Sequence, residues 1–273
     1  MLKISSVTVR IRTMIALILK ELRFYFHQPK FRRIQFVILS VLALTLFAAA
    51  FELFAASQTQ PQTRMGESVY AISVLVFFLT IIALAVPLLA IETFQTERLS
   101  SNWDLLKITP LRTWRILLGK LIGAILGTLW IVWLTIPLFW LSVYTGGLGL
   151  WQLLQCALVF TAAITLFFLI GILLTLFGTA MTAISRSYAV VLSINFVPLI
   201  VSQMPITAPR FEEALRLLSP LCVLIAVVKS ETHTSMGILP IWVWMIGCYT
   251  VLSAVLFWIL NRLIAKKDSR GVL

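Results

Sequence analysis

Charge is what this chain has least of. Only 12% of its 273 residues are charged, and just ten of them are acidic. Hydrophobic residues make up 60%, and the mean hydropathy is +1.02. A soluble domain of this size could not cover its surface with so few polar groups, so a water-soluble fold is excluded. Aspartate occurs only at 104 and 268. A metal-dependent transferase acting on a lipid diphosphate needs paired acids at one membrane depth, and no such pair exists. Histidine occurs only as His27 and His233, far apart in sequence and on opposite sides of the topology derived below, so no metal site is expected. Cys156, Cys222 and Cys248 sit in apolar surroundings without metal spacing, and buried apolar cysteine is their expected role. A phosphate-binding G-x-x-x-x-G-K-[ST] loop is missing too: Gly119-Lys120 is followed by Leu121 and lacks the upstream glycine. No polar segment exceeds about 35 residues, which leaves no room for a nucleotide-binding domain. The apolar run 14–19 is short and has no small-residue cleavage site, so a cleavable signal is not expected.

Long hydrophobic runs are what the chain does have. Six reach or approach the ~20 residues that a helix needs to cross ~30 Å of hydrocarbon. They lie at about 34–56, 69–91, 116–144, 153–177, 188–205 and 238–264. The fifth is the shortest and carries Asn195 and Pro198. Residues 214–228 are too short for a straight span, at ~22 Å, and Pro220 breaks them. They are expected to form an outer re-entrant or interfacial hairpin. The fold class is therefore an all-α polytopic membrane protein with six transmembrane helices.

The net charge of +12 would suggest nucleic acid in a soluble protein. Here it reports topology, because basic residues collect on the cytoplasmic side. With the N-terminus inside, that side holds eight basic residues before residue 34, Arg98, Lys107, Arg112, Arg115 and Lys120 in the central loop, Arg186, and four beyond residue 261. The outer side holds only Arg64, Arg210, Arg216 and Lys229. Both ends are therefore expected in the cytoplasm, in a cell membrane.

Residues 1–33 are expected to form a lead-in helix in the interface. Apolar positions 14, 15, 18, 22, 25 and 26 share one face, while Arg12, Lys20, Glu21 and Arg23 favour the other. Pro29 ends it before the first span.

The longest polar interruption between spans, 92–118, carries the functional argument. Residues 101–107 predict a short helix capped by Ser100 or Ser101, with Asp104 in its first turn and Thr109-Pro110 at its end. Trp103, Leu105 and Leu106 give it more apolar surface than a solvated loop needs. Held at the cytoplasmic face by two spans, it suits docking to another protein.

These residues resemble the membrane subunit of type-2 ABC exporters. The pattern is E-R-x(4)-W-D-L-L-x-x-T-P-L-x-x-W-x-I-L-L-G-K, carried by Glu97, Arg98, Trp103, Asp104, Leu105, Leu106, Thr109, Pro110, Leu111, Trp114, Ile116, Leu117, Leu118, Gly119 and Lys120. Lys20, Glu21 and Arg23 with Pro29, and Ser185-Arg186-Ser187, resemble the family as well; Ser101-Asn102 replaces its usual Gly-Thr. The resemblance implies that two permeases, identical or homologous, face each other. Each rests a coupling helix on a separate ABC ATPase subunit, present in two copies. ATP and Mg are bound there, no cofactor is bound in this chain, and the permease alone is not an enzyme. A lipid-like, glycolipid or amphipathic substrate is then exported, and the outer hairpin lies near its exit. A membrane-embedded lipid-modifying enzyme and a non-transporting scaffold or secretion component are the competing classes. Nucleic acid is not an expected partner; the lipid bilayer is.

Other residues carry two readings from sequence. Gly119, Gly123 and Gly127 form a smooth stripe, either a dimer face or an internal helix contact. Glu52 is either a buried functional carboxylate or an interfacial one. Glu92 and Glu97 either pair with Lys20, Arg23 or Arg98, or are solvated. Thr161, Thr165, Ser193 and Asn195 either line a path or hydrogen-bond between helices. Trp151, Trp242 and Trp244 suit an outer aromatic belt.

Overall fold

The computed structural model describes residues 15–23, 26–27, 29–57, 85–99, 113–144, 149–201, 209–228 and 239–269. Among them the chain is almost entirely helical, without strands. We label the helices α1 (residues 15–23), α2 (Pro29–Ser57), α3 (Val86–Leu99), α4 (Thr113–Tyr144), α5 (Leu150–Thr175), α6 (Ala180–Val201), α7 (Pro209–Leu218), α8 (Pro220–Val228) and α9 (Ile241–Ser269). Three described stretches, Leu150–Thr175, Met181–Val201 and Ile241–Lys266, are long and apolar enough to cross a membrane.

Helix α5 is the centre. It touches α3, α4, α6, α8 and α9, and its buried residues run all around it, from Val159, Phe160 and Ala163 to Phe167, Phe168 and Ile172. A helix that is apolar on every side fits only where neighbours cover it. Against α5 pack Ala90 from α3, Val223, Leu224 and Val227 from α8, and Met245 and Tyr249 from α9. The Phe167 and Tyr249 rings meet edge to face at 6.3 Å. The closest approach is at Gly171, where an added Cβ would lie 2.7 Å from the Ala90 Cβ. Absence of a side chain there is what lets α3 and α5 touch.

The α5–α6 connection is tighter than hydropathy suggests. Only residues 176–179 separate the helices. Ser185-Arg186-Ser187, expected at the cytoplasmic end of the fourth span, instead lies within α6, and Ser187 is fully buried close to Gly171. The fifth apolar run therefore starts near Met181 and not at 188, and reaches 21 residues. A polar tripeptide lowers a hydropathy average without ending a helix, because Ser and Arg keep their i−4 hydrogen bonds.

Residues 214–228 are two helices broken at Ser219. Pro220 supplies no amide and stands at the first position of α8, while Ser219 caps it, its Oγ accepting from the Cys222 amide at 3.3 Å. We expect Gly171→Ala to lower stability by about 1–3 kcal/mol through overpacking against Ala90. The compensating pair Gly171→Ala with Ala90→Gly should recover most of it, as read by thermal unfolding of the purified protein in detergent micelles.

Candidate functional site

Two clusters of polar side chains stand out against the apolar background, one at each end of α5's neighbours. The first joins α1 to the beginning of α4. Lys120 Nζ donates to Glu21 Oε1 at 3.2 Å, across 99 residues of sequence. Both side chains are buried, at 1% and 3% exposure. Beside them Leu17 lies so close to Gly119 that a Cβ there would be 2.6 Å from a Leu17 methyl. Further along, the Phe26 ring meets Trp130 edge to face at 5.4 Å, and Phe31 at 6.3 Å. The lead-in segment thus runs beside α4 from Gly119 to Trp130, about 16 Å of helix.

This geometry changes which face of the lead-in helix is covered. Ile15, expected on its apolar face, is exposed, while Leu17 and Glu21 are the buried positions. Glu21 was expected on the polar face with Lys20 and Arg23, which are exposed. The reason is pairwise: a carboxylate enters an apolar contact when a lysine meets it there. A helical wheel of α1 alone does not contain Lys120. His27 is engaged locally, its Nδ1 at 2.9 Å from the Arg23 carbonyl oxygen.

The second cluster holds the α7–α8 break. Ser219 Oγ donates to the Asn195 carbonyl oxygen at 3.0 Å, beside the turn of α6 that Pro198 deprives of an amide. Tyr249 Oη donates to the Leu218 carbonyl oxygen at 2.7 Å, satisfying the last turn of α7. Gln152 serves two helix ends at once: it accepts from the Gly149 amide at 2.9 Å and donates to the Val227 carbonyl oxygen at 3.2 Å. Nearby the Gln155 carboxamide, with its oxygen toward the indoles, accepts from Trp151 Nε1 at 2.8 Å and from Trp242 Nε1 at 3.3 Å. The two indoles stand edge to face at 6.4 Å. Trp151 and Trp242 therefore tie the starts of α5 and α9 together.

Of the residues singled out from sequence, Gly119, Gly123 and Gly127 are all buried. Thr161 and Thr165 donate to carbonyls of their own helix, Ala157 and Thr161, both at 2.8 Å. Asn195 is buried, and its Nδ2 donates to the Val191 carbonyl oxygen at 2.8 Å; Ser193 is exposed. Cys156 is buried, whereas Cys248, expected to be buried, is exposed on α9. Glu97 and Glu52 belong to α3 and α2, and their side chains lie outside the described residues, as do Trp103, Asp104, Leu105, Leu106, Thr109, Pro110, Leu111 and His233. Among the described residues no cluster of His, Cys, Asp and Glu could hold a metal.

Sequence reasoning missed Lys120 as a structural partner and missed Gln152 and Tyr249 altogether. A lysine four residues into an apolar run (Ile116 to Lys120) was the available signal for the first. No family model matches the chain, and no curated protein matches it.

Removing one member of the buried pair should cost far more than removing both. We expect Lys120→Met to destabilise by about 3–5 kcal/mol, because it strands the Glu21 carboxylate. The double variant Glu21→Leu with Lys120→Met should recover most of that loss. Unfolding midpoints of the three variants in one detergent check it.

Proposed function

We propose that this chain is the membrane-spanning permease of an ATP-driven exporter, powered by a separate ATPase subunit. In this reading the six apolar runs are spans with both ends cytoplasmic. Residues 92–118 form the coupling loop between the second and third spans, and α7 and α8 form the outer hairpin. Two permease subunits, identical or homologous, assemble with two ATPase subunits. The cargo class is lipid-like, glycolipid or amphipathic.

The observation that carries the reading is the central segment itself: an apolar, tryptophan-bearing motif in the most basic inter-span loop, resembling the coupling segment of type-2 ABC exporters over Glu97–Lys120. The buried Glu21–Lys120 pair supports it. Lys120 closes the motif, so the end of the coupling loop is fastened to the lead-in helix. A push on Trp103–Leu111 would then reach α1 and α4 together.

Replacing Leu105 and Leu106 by Asp is expected to abolish copurification of the ATPase subunit while the permease still inserts and folds. The isolated permease should hydrolyse no ATP. Retained ATPase binding by a folded Leu105→Asp, Leu106→Asp protein would overturn the coupling assignment.

A further inference from the structure

We propose that the foot of α2 is a binding site for an anionic phospholipid, with Arg32 and Arg33 on its headgroup phosphate and Phe36 and Val37 against the start of its acyl chains. A groove of about 500 Å³ is lined there by Pro29, Arg32, Arg33, Phe36 and Val37. Both arginines are exposed, and no carboxylate among the described residues pairs with either. At 100° per residue they flank Phe36 on its two sides, one turn below it. Both arginine side chains therefore leave the helix one turn below one exposed ring, and a phosphate accepts from guanidinium groups in bidentate fashion.

Above the arginines the exposed face of α2 is apolar apart from Ser40. Phe36, Leu44, Phe47 and Phe51 share one face, and Phe36 and Phe47 are each 73% exposed. The opposite face is the covered one, with Phe31 and Ile38 buried. From Phe36 to Phe51 the stripe rises about 22 Å, more than the ~15 Å depth of one leaflet. A cation pair at the base of an apolar stripe of that length matches a phospholipid end to end: charge at the headgroup, hydrocarbon above. A second copy of the chain is the other occupant an apolar stripe could take. Side-by-side pairing of two α2 helices about a two-fold axis would bring four arginines to one level without a counter-charge, which disfavours it.

The inference requires a bilayer and does not depend on what the chain transports. The test is lipid retention. The protein is reconstituted in nanodiscs of equal phosphatidylglycerol and phosphatidylcholine, extracted in mild detergent, and analysed by native mass spectrometry. Each arginine at a membrane surface favours an anionic lipid by roughly fivefold, so the pair should give about a 25-fold preference for phosphatidylglycerol. Arg32→Gln with Arg33→Gln should remove that preference, whereas Arg262→Gln, a single exposed arginine at another helix end, should lower it by no more than about fivefold. A second measurement leaves both arginines in place: a fluorophore on Val37→Cys should be quenched more strongly by brominated phosphatidylglycerol than by brominated phosphatidylcholine. Equal retention of the two lipids by the wild type would overturn the site. So would a preference that survives loss of both arginines, or equal quenching at position 37. Disulfide cross-linking of Val37→Cys between two copies would also overturn it, since the stripe would then be a subunit contact.

Discussion

Where a helix breaks inside an apolar surrounding, its last carbonyls and first amides have no water to turn to, and each needs a partner from the protein. The break between α7 and α8 imposes this demand where Ser219 and Pro220 are buried. Tyr249 reaches down from α9 to the Leu218 carbonyl, while Ser219 Oγ takes the Cys222 amide and donates to the Asn195 carbonyl on α6. At the far end of α8, Gln152 on α5 takes Val227. These bonds hold the hairpin against three different long helices. The packing of α5, α6 and α9 around α8 therefore supplies partners to the Leu218 and Val227 carbonyls and to the Ser219 hydroxyl, as well as burying Leu224 and Val227. Shifting any one of the three long helices would expose a backbone group whose loss of a hydrogen bond costs about 1–3 kcal/mol.

The buried Glu21–Lys120 pair follows a similar logic with charge in place of backbone. Neither ion is tolerable alone out of water, so α1 and the foot of α4 are held to one relative position. Gly119 brings Leu17 into contact immediately beside the pair. A neutral contact of the same size could slide; a paired charge between a helix and a neighbour with no Cβ can only stay or break. This makes the lead-in helix part of the same mechanical unit as the first turns of α4.

The coarse architecture was legible from composition: helices throughout, and apolar runs at about 153–177 and 238–264 that fall on the described helices Leu150–Thr175 and Ile241–Lys266. What was not legible had a common physical cause. Hydropathy and helical periodicity see one helix at a time, while the errors arose from pairs. Glu21 reads as polar-face until Lys120 is beside it. Ser187 reads as a loop residue until the short turn at 176–179 places it inside α6 near Gly171. Thr161 and Thr165 read as polar handles between helices, yet their hydroxyls fold back on their own backbone. Gln152 and Tyr249 gave no sequence signal at all, because the carbonyls that they satisfy are freed only where helices end elsewhere in the chain, Leu218 before Pro220 and Val227 at the end of α8.

That inward use of polarity runs through the described helices. Thr128, Thr161, Thr165 and Thr250 each donate to a carbonyl four residues earlier, and Thr175 to one three residues earlier. Gln152, Gln155, Ser219 and Tyr249 serve helix ends and indoles. Among the described residues only Gln35 Nε2, Ser187 Oγ, Asn195 Oδ1 and Ser253 Oγ are buried side-chain polar atoms without a protein partner. They are spread over α2, α6 and α9 and form no convergent constellation. Among the described residues, polar side chains therefore serve their own helices and helix ends and do not converge on one place.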